Sequence, residues 1–235
     1  MGRITIAIDG HSSTGKSTVA RELAKALDYI YVDSGAMYRA VTLYALRNGF
    51  VDQANGGVNK EALISSLPDI ELVFEKNGQN GKAEICLNGE NVEKAIRTME
   101  VSGLVSAVAA MPEVRKKLVE QQRLIGKDKG VVMDGRDIGT VVFPDAELKL
   151  FMTASSRIRA TRRYKELLER GEDISFEEVL HNVESRDHAD STRKDSPLVM
   201  AEDAVEIDNS DMGEAEQFER ILSHAKDLIA KGSAG

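Results

Sequence analysis

The stretch Gly10-His11-Ser12-Ser13-Thr14-Gly15-Lys16-Ser17 sets two glycines ahead of an adjacent lysine and serine. This spacing fits the phosphate-loop pattern. Before it, Ile4-Thr5-Ile6-Ala7-Ile8 is an apolar, β-branched run that predicts a buried parallel strand; after it, Val19, Leu23, Ala26 and Leu27 recur at helical spacing. The motif therefore stands in the strand–loop–helix context it needs. Gly10 and Gly15 let the backbone bend so that successive N–H groups and the helix N-terminus point at one anionic centre. Lys16 is expected to project into the crevice, exposed and outside the core, reaching the β- and γ-phosphates of a nucleoside triphosphate, while the Ser17 hydroxyl would hold Mg²⁺.

Further along, residues 29–32 predict a second short strand ending in Asp33-Ser34-Gly35, with Asp33 or Ser34 capping a helix that stops at Asn48-Gly49. From residue 60 the texture changes. A short helix over 61–67 is stopped by Pro68, and then Ile70, Leu72 and Phe74, followed by Ala83, Ile85 and Leu87, alternate as half-buried antiparallel strands. Asn77-Gly78, Asn80-Gly81 and Asn88-Gly89 supply their turns. Residues 60–97 are thus an antiparallel insertion in a parallel α/β chain. Helices follow over 99–110 and 113–125, then a third strand over 130–133 ending in Asp134-Gly135-Arg136-Asp137-Ile138-Gly139-Thr140. Residues 148–151 predict a fourth strand, 155–170 a basic helix stopped by Gly171, 176–186 another helix, 187–197 a polar breaking segment, 204–207 a fifth strand and 214–231 an amphipathic closing helix. Asp33, Asp134, Arg136 and Asp137 fall at the carboxyl ends of strands, where open parallel sheets gather ligands.

The chain has 235 residues and a net charge of −8, which argues against general affinity for nucleic acid or anionic membrane. Against that acidity the cluster Arg157, Arg159, Arg162 and Arg163 is either a solvated helix face or a clamp for phosphate. Arg39, in the first turns of its helix, is open in the same way between a solvated charge and an anion ligand. No apolar run is long enough to cross a bilayer and the chain enters its first strand directly, so neither a membrane span nor a signal peptide is expected. The single cysteine, Cys86, fits a reducing cytoplasm and reads as a small buried hydrophobe. His11, His181, His188 and His224 lack metal-ligand spacing and read as surface or packing residues. A GTPase would carry an Asn-Lys-x-Asp guanine-reading motif, which this chain lacks. Phosphoryl transfer between two anions needs cations on both, and the arginines supply them.

Several blocks together resemble bacterial cytidylate kinase: residues 10–18, Asp33-Ser34-Gly35-Ala36-Met37-Tyr38-Arg39, Ile96-Arg97-Thr98, Ser106-Ala107-Val108-Ala109 with Pro112-Glu113-Val114-Arg115, and residues 186–193. Most specific is Asp134-Gly135-Arg136-Asp137-Ile138-Gly139-Thr140-Val141-Val142-Phe143-Pro144. The resemblance implies an α/β phosphate-loop kinase with a central five-stranded parallel sheet, a small antiparallel sheet inserted in the monophosphate-binding domain, and a helical lid. Its domains would be a core over 1–38, 105–154 and 196–235, a monophosphate-binding domain over 39–104 and a lid over 155–195. It implies transfer of the γ-phosphoryl group of ATP to CMP or dCMP, with Mg²⁺, by a cytoplasmic monomer that binds no nucleic acid or membrane. The ATP site would comprise Gly10, His11, Ser12, Ser13, Thr14, Gly15, Lys16, Ser17 and Thr18. Ser34, Ser106, Arg115 and Asp137 would face the cytosine, Arg39 and Arg136 hold the acceptor phosphate, and Arg186, Asp190 and Arg193 complete the nucleotide site, Asp190 near the ribose. Arg162 and Arg163 match the lid arginines, which with Lys16 and Arg136 make the catalytic set. The chain departs from the family pattern at His11, Ser13 and Thr14, where Pro, Gly and a small residue are common, and at Ser17, where some members carry Gly.

Overall fold

A computed structural model describes residues 2–52, 57–77, 83–210 and 214–232. In chain order the strands are β1 (Thr5–Asp9), β2 (Ile30–Asp33), β3 (Val51–Asp52), β4 (Gly57–Val58), β5 (Leu72–Lys76), β6 (Ala83–Leu87), β7 (Glu90–Asn91), β8 (Val131–Gly135), β9 (Leu148–Thr153) and β10 (Val205–Asp208). The helices are α1 (Lys16–Leu27), α2 (Ser34–Arg47), α3 (Lys60–Ser66), α4 (Met99–Ala109), α5 (Pro112–Ile125), α6 (Ser156–Glu169), α7 (Phe176–Thr192) and α8 (Glu214–Gly232). They form two compact units, Met1–Val32 with Arg123–Gly235, and Asp33–Gln122.

The first unit carries the five-stranded sheet, in the order β10-β9-β1-β8-β2. Its central strand β1 is buried at every position, as a parallel strand covered on both faces must be, so its sequence is a continuous apolar run closed by Asp9. Parallel pairing sets Ile8 beside Asp134 and Leu150, and Asp9 beside Gly135 and Phe151. The carboxyl ends of the three central strands are therefore level, and polar side chains just beyond them share one edge. Val19, Ala20, Leu23 and Ala24 of α1 and Ile221, Leu222 and Ala225 of α8 join Ile6, Ile8, Val132 and Met152 in one apolar cluster. Each fully buried Leu, Ile, Val or Met side chain among them contributes roughly 1.5–3 kcal/mol. The basic helix ends as the sequence predicts: Gly171 takes φ +79° and the Glu172 N–H returns to Leu167 O at 3.1 Å.

In the second unit, β5, β6 and β7 form the antiparallel sheet, with Leu72 opposite Leu87, Val73 opposite Cys86 and Phe74 opposite Ile85. Asn88 and Gly89 both take positive φ, 50° and 81°, which suits the tight turn between β6 and β7. The Gly78, Asn80 and Gly81 turn positions lie outside the described residues. Cys86 is buried, as expected. Met37, Val41, Leu63, Ile85, Ile96 and Leu118 anchor the unit's own core.

Three features differ from expectation. A two-residue pair, β3 with β4, follows α2. A π-helical turn spans Ile138–Val142 immediately after Asp137. Most consequential, α7 runs on to Thr192 through residues 187–192, which the polar composition marks as a break. Its start is held by a capping box between Ser175 and Glu178. Its later turns carry Asp187 and Asp190, paired with Arg159 and Arg136, so long-range ion pairs neutralise a stretch that looks like loop in isolation.

Candidate nucleotide site

The loop after β1 needs its glycines for two reasons each. Gly10 has φ +144° and a Cβ there would come within 2.1 Å of Met152 O; Gly15 has φ +96° and a Cβ would meet Asn209 Nδ2 at 2.5 Å. No other residue suits both the dihedral and the space. Lys16 corrects the expectation of an exposed side chain: it is only 5% exposed, and its Nζ donates to His11 O at 2.5 Å and to Thr14 Oγ1 at 3.3 Å. The loop folds over its own lysine. Asn209, just past β10, donates from Nδ2 to Thr14 O at 2.7 Å, and its own carbonyl accepts from Arg162 NH2 at 2.7 Å. Arg163 pairs instead with Glu166 on the same helix at 3.1 Å, while Arg157 is exposed, the solvated-face reading.

At the next strand end, Asp134 takes two hydroxyl hydrogens. Ser17 Oγ donates to its Oδ2 at 3.0 Å and Tyr31 OH to its Oδ1 at 2.8 Å. A hydroxyl and a carboxylate oxygen are the hard donors that Mg²⁺ accepts. Asp9 ends β1 on the same edge and accepts the Ile138 and Gly139 N–H groups at 2.8 and 2.7 Å, pinning the π-helical turn to the central strand. Burial pushes its carboxyl up to about 6 from an ordinary 3.8, the two N–H bonds opposing and the Asp137 charge adding to the rise. Between those values the folded protein holds a proton that the unfolded chain has released. The stability this confers is full below 3.8 and lost as pH rises through about 6. Urea unfolding of wild type and Asp9→Asn at pH 4.5 and 7 should show the wild-type advantage shrinking by about 2 kcal/mol at the higher pH. A difference independent of pH would mean that Asp9 is ionised throughout.

Arg136, Arg186, Asp190 and Arg193 come together. Arg136 Nε donates to Asp190 Oδ2 at 2.7 Å. Burial opposes the charge on each partner, yet their attraction wins: Arg136 rises above and Asp190 falls below its ordinary range, with Arg186 and Arg193 adding to the pull on Asp190. Arg193 donates from Nε to Ser196 O at 2.7 Å and brings NH2 to 3.9 Å from Asp137 Oδ1. The helical continuation of α7 is what sets Arg186 and Asp190 on neighbouring turns.

In the second unit, Asp33 caps α2 by accepting the Ala36 N–H at 3.0 Å, which buries Ser34 at the helix start. Its other oxygen takes Arg97 NH2 at 3.3 Å, and Arg97 Nε also donates to Glu93 at 2.8 Å. Burial would raise the Asp33 carboxyl, but Arg97 first and then Arg39 hold it below its ordinary range. Arg39 is thus half-buried within reach of a carboxylate and not a freely solvated charge. Arg115 is 3% exposed, stacks 5.7 Å from the Tyr38 ring centroid and donates from NH1 to Ala109 O at 3.3 Å. Ser106 lies half-buried on α4, which packs on α2.

The sequence profile of cytidylate kinase matches residues 6–227. The chain belongs to the cytidylate kinase family. A family member from Flavobacterium johnsoniae is 59% identical over 229 residues, 97% of this chain and 99% of that protein. One from Phocaeicola vulgatus is 58% identical over 217 residues, 92% of this chain and 94% of the relative. One from Bacteroides fragilis is 53% identical over 229 residues, 97% of this chain and 99% of its length. The resemblance noted from the motif blocks is borne out along nearly the whole chain. Family motifs did not single out Arg159, Asp187 or Asn209 as partners of the loop, nor Asp9 as the anchor of the π-helical turn, whereas Asp134 was already placed at a strand end. Asp9 carried the same signal as Asp134, an acid at the carboxyl end of an apolar strand. The other three meet the loop only through distant packing.

Proposed function

We propose that this protein transfers the γ-phosphoryl group of ATP to CMP or dCMP, giving CDP or dCDP and ADP, and acts in pyrimidine nucleotide metabolism as a cytoplasmic monomer. The observation that carries the site reading is a second set of cations, half-buried around the buried Asp190 beside the loop-bearing edge of the sheet: Arg136 and its neighbours Arg186 and Arg193. A nucleotide hydrolase has no second phosphate to hold.

In this reading residues 10–18 wrap the donor phosphates, with Lys16 moving from the His11 carbonyl onto the β- and γ-phosphates. Anionic acceptors replace the neutral carbonyl and hydroxyl as partners of the ammonium, so the exchange is favourable. Arg39 and Arg136 hold the acceptor phosphate, while Ser34, Ser106, Arg115 and Asp137 recognise the cytosine. Arg186, Asp190 and Arg193 complete the acceptor site. An acceptor phosphate oxygen forms the new bond to the γ-phosphorus as the bond to the β,γ-bridging oxygen breaks, leaving charge on ADP. Lys16, Arg162 and Arg163 neutralise that charge. No general base is needed, because a phosphomonoester is mostly dianionic near neutral pH. Mg²⁺ held near Ser17, with Asp134 behind the hydroxyl, would further neutralise the donor phosphates.

A coupled ADP-release assay across CMP, dCMP, UMP, AMP and shikimate tests the assignment, with CMP and dCMP expected to lead. Equal rates with CMP and AMP would overturn it. For the metal site, Ser17→Ala should raise the Mg²⁺ concentration for half-maximal activity about tenfold or more. An unchanged Mg²⁺ titration would remove Ser17 from the metal.

A further inference from the structure

Three elements of the first unit meet on one carboxylate. Asp187, on α7, accepts from Arg159 of α6 through both oxygens, NH1 at 2.9 Å and NH2 at 2.5 Å. Its Oδ1 also lies 3.1 Å from Nδ1 of His11 in the phosphate loop. Arg159 touches the loop itself, with NH1 3.4 Å from Ser12 O, and its Nε donates to Ala154 O at 2.8 Å. At 3% exposed, Arg159 cannot trade these partners for water, so the Arg159–Asp187 pair is a fixed post. Burial would raise the Asp187 carboxyl, but His11 and then the Arg159 guanidinium draw it down to about 2. His11 is thereby in contact at both ends, its ring nitrogen at ion-pair distance from this carboxylate and its carbonyl bonded by Lys16 Nζ. His11 is thus partly exposed and packed against a carboxylate, in keeping with the reading of it as a surface or packing residue and not a metal ligand.

We propose that His11 is a positioning residue for the donor nucleotide: through the Asp187–Arg159 pair it couples the shape of the phosphate loop to α6 and α7. Those two helices carry Arg162, Arg163, Arg186 and Asp190. When donor phosphates draw Lys16 off the His11 carbonyl, one of the two restraints on residue 11 is lost. The ring anchor is the other, and it keeps residues 11 and 12 from collapsing into the space the phosphates occupy. The inference rests on the proposed kinase reading.

The test is a double-mutant cycle read on the donor. His11→Leu removes the nitrogen; His11→Asn keeps a donor nitrogen at the same distance from the backbone as Nδ1; Asp187→Asn removes the negative charge that receives it. His11→Leu should raise KM for ATP about five- to twentyfold, and His11→Asn should recover most of that loss. Adding His11→Leu to Asp187→Asn should cost little more, because the interaction is already gone. Multiplicative effects in the cycle, or an unchanged KM for ATP in His11→Leu, would overturn the proposal. If Asp187→Asn unfolds by freeing Arg159, the two His11 variants decide alone, and equal KM values for them would also overturn it. Titration with a fluorescent ATP analogue in the absence of CMP reads the same coupling as a Kd. A protein that shows this coupling but phosphorylates no nucleoside monophosphate would defeat the kinase reading and leave the coupling standing.

Discussion

Lys16→Ala is expected to lower kcat by two or more powers of ten while the protein remains folded. The size follows from removing a preorganised charge from a site where charge develops. The structure sharpens the stability side of this expectation. Lys16 is 5% exposed, but its partners are the carbonyl of His11 and the hydroxyl of Thr14, both in the loop, and not the apolar cluster beneath the sheet. Losing those two bonds should cost on the order of 1 kcal/mol, a few degrees in melting temperature at most. Lys16→Met, which keeps the apolar stem and drops only the ammonium, separates the two effects. Both variants should melt cooperatively near the wild-type temperature and both should be nearly inactive. Turnover within tenfold of wild type in either would mean that Lys16 does not stand at the transferring phosphate.

What could be read along the chain was whatever the chain encodes locally. The loop, its strand and its helix are contiguous, and the glycine dihedrals follow from spacing alone. The Asp33 cap and the Asn88-Gly89 turn are equally local, each decided within four residues. The last turns of α7 were not, because Asp187 and Asp190 look like helix breakers until Arg159 and Arg136 are known to face them. The same holds for Lys16. Its spacing announces a phosphate ligand but says nothing of where Nζ rests before a phosphate arrives. Asn209 is the extreme case: it touches Thr14 from 195 positions away and has no neighbouring motif to mark it. The partner of His11 was equally out of reach, since Asp187 stands on a helix far along the chain and nothing beside His11 marks it.

Asp137→Ala tests base recognition apart from phosphate chemistry, and the structure makes the competing account concrete. Asp137 is 4% exposed, stands two residues past the end of β8 and precedes the π-helical turn. Its Oδ1 lies 3.9 Å from Arg193 NH2, so it could serve only to steady that arginine. If instead it accepts from the cytosine amino group, alanine leaves that donor unpaired in a desolvated pocket, and kcat/KM for CMP should fall by roughly 1–3 kcal/mol, about 5- to 150-fold. UMP has a carbonyl where CMP has the amino group, which a carboxylate repels, so UMP should lose little or gain. Disturbance of Arg193 acts on a phosphate or sugar contact that both substrates share, and would lower both together. The ratio of kcat/KM for CMP to that for UMP is therefore the decisive quantity, insensitive to any common loss from Arg193 or from stability. A ratio that collapses toward unity assigns the base to Asp137; a ratio unchanged from wild type leaves Asp137 as the partner of Arg193 and moves cytosine selection to other residues.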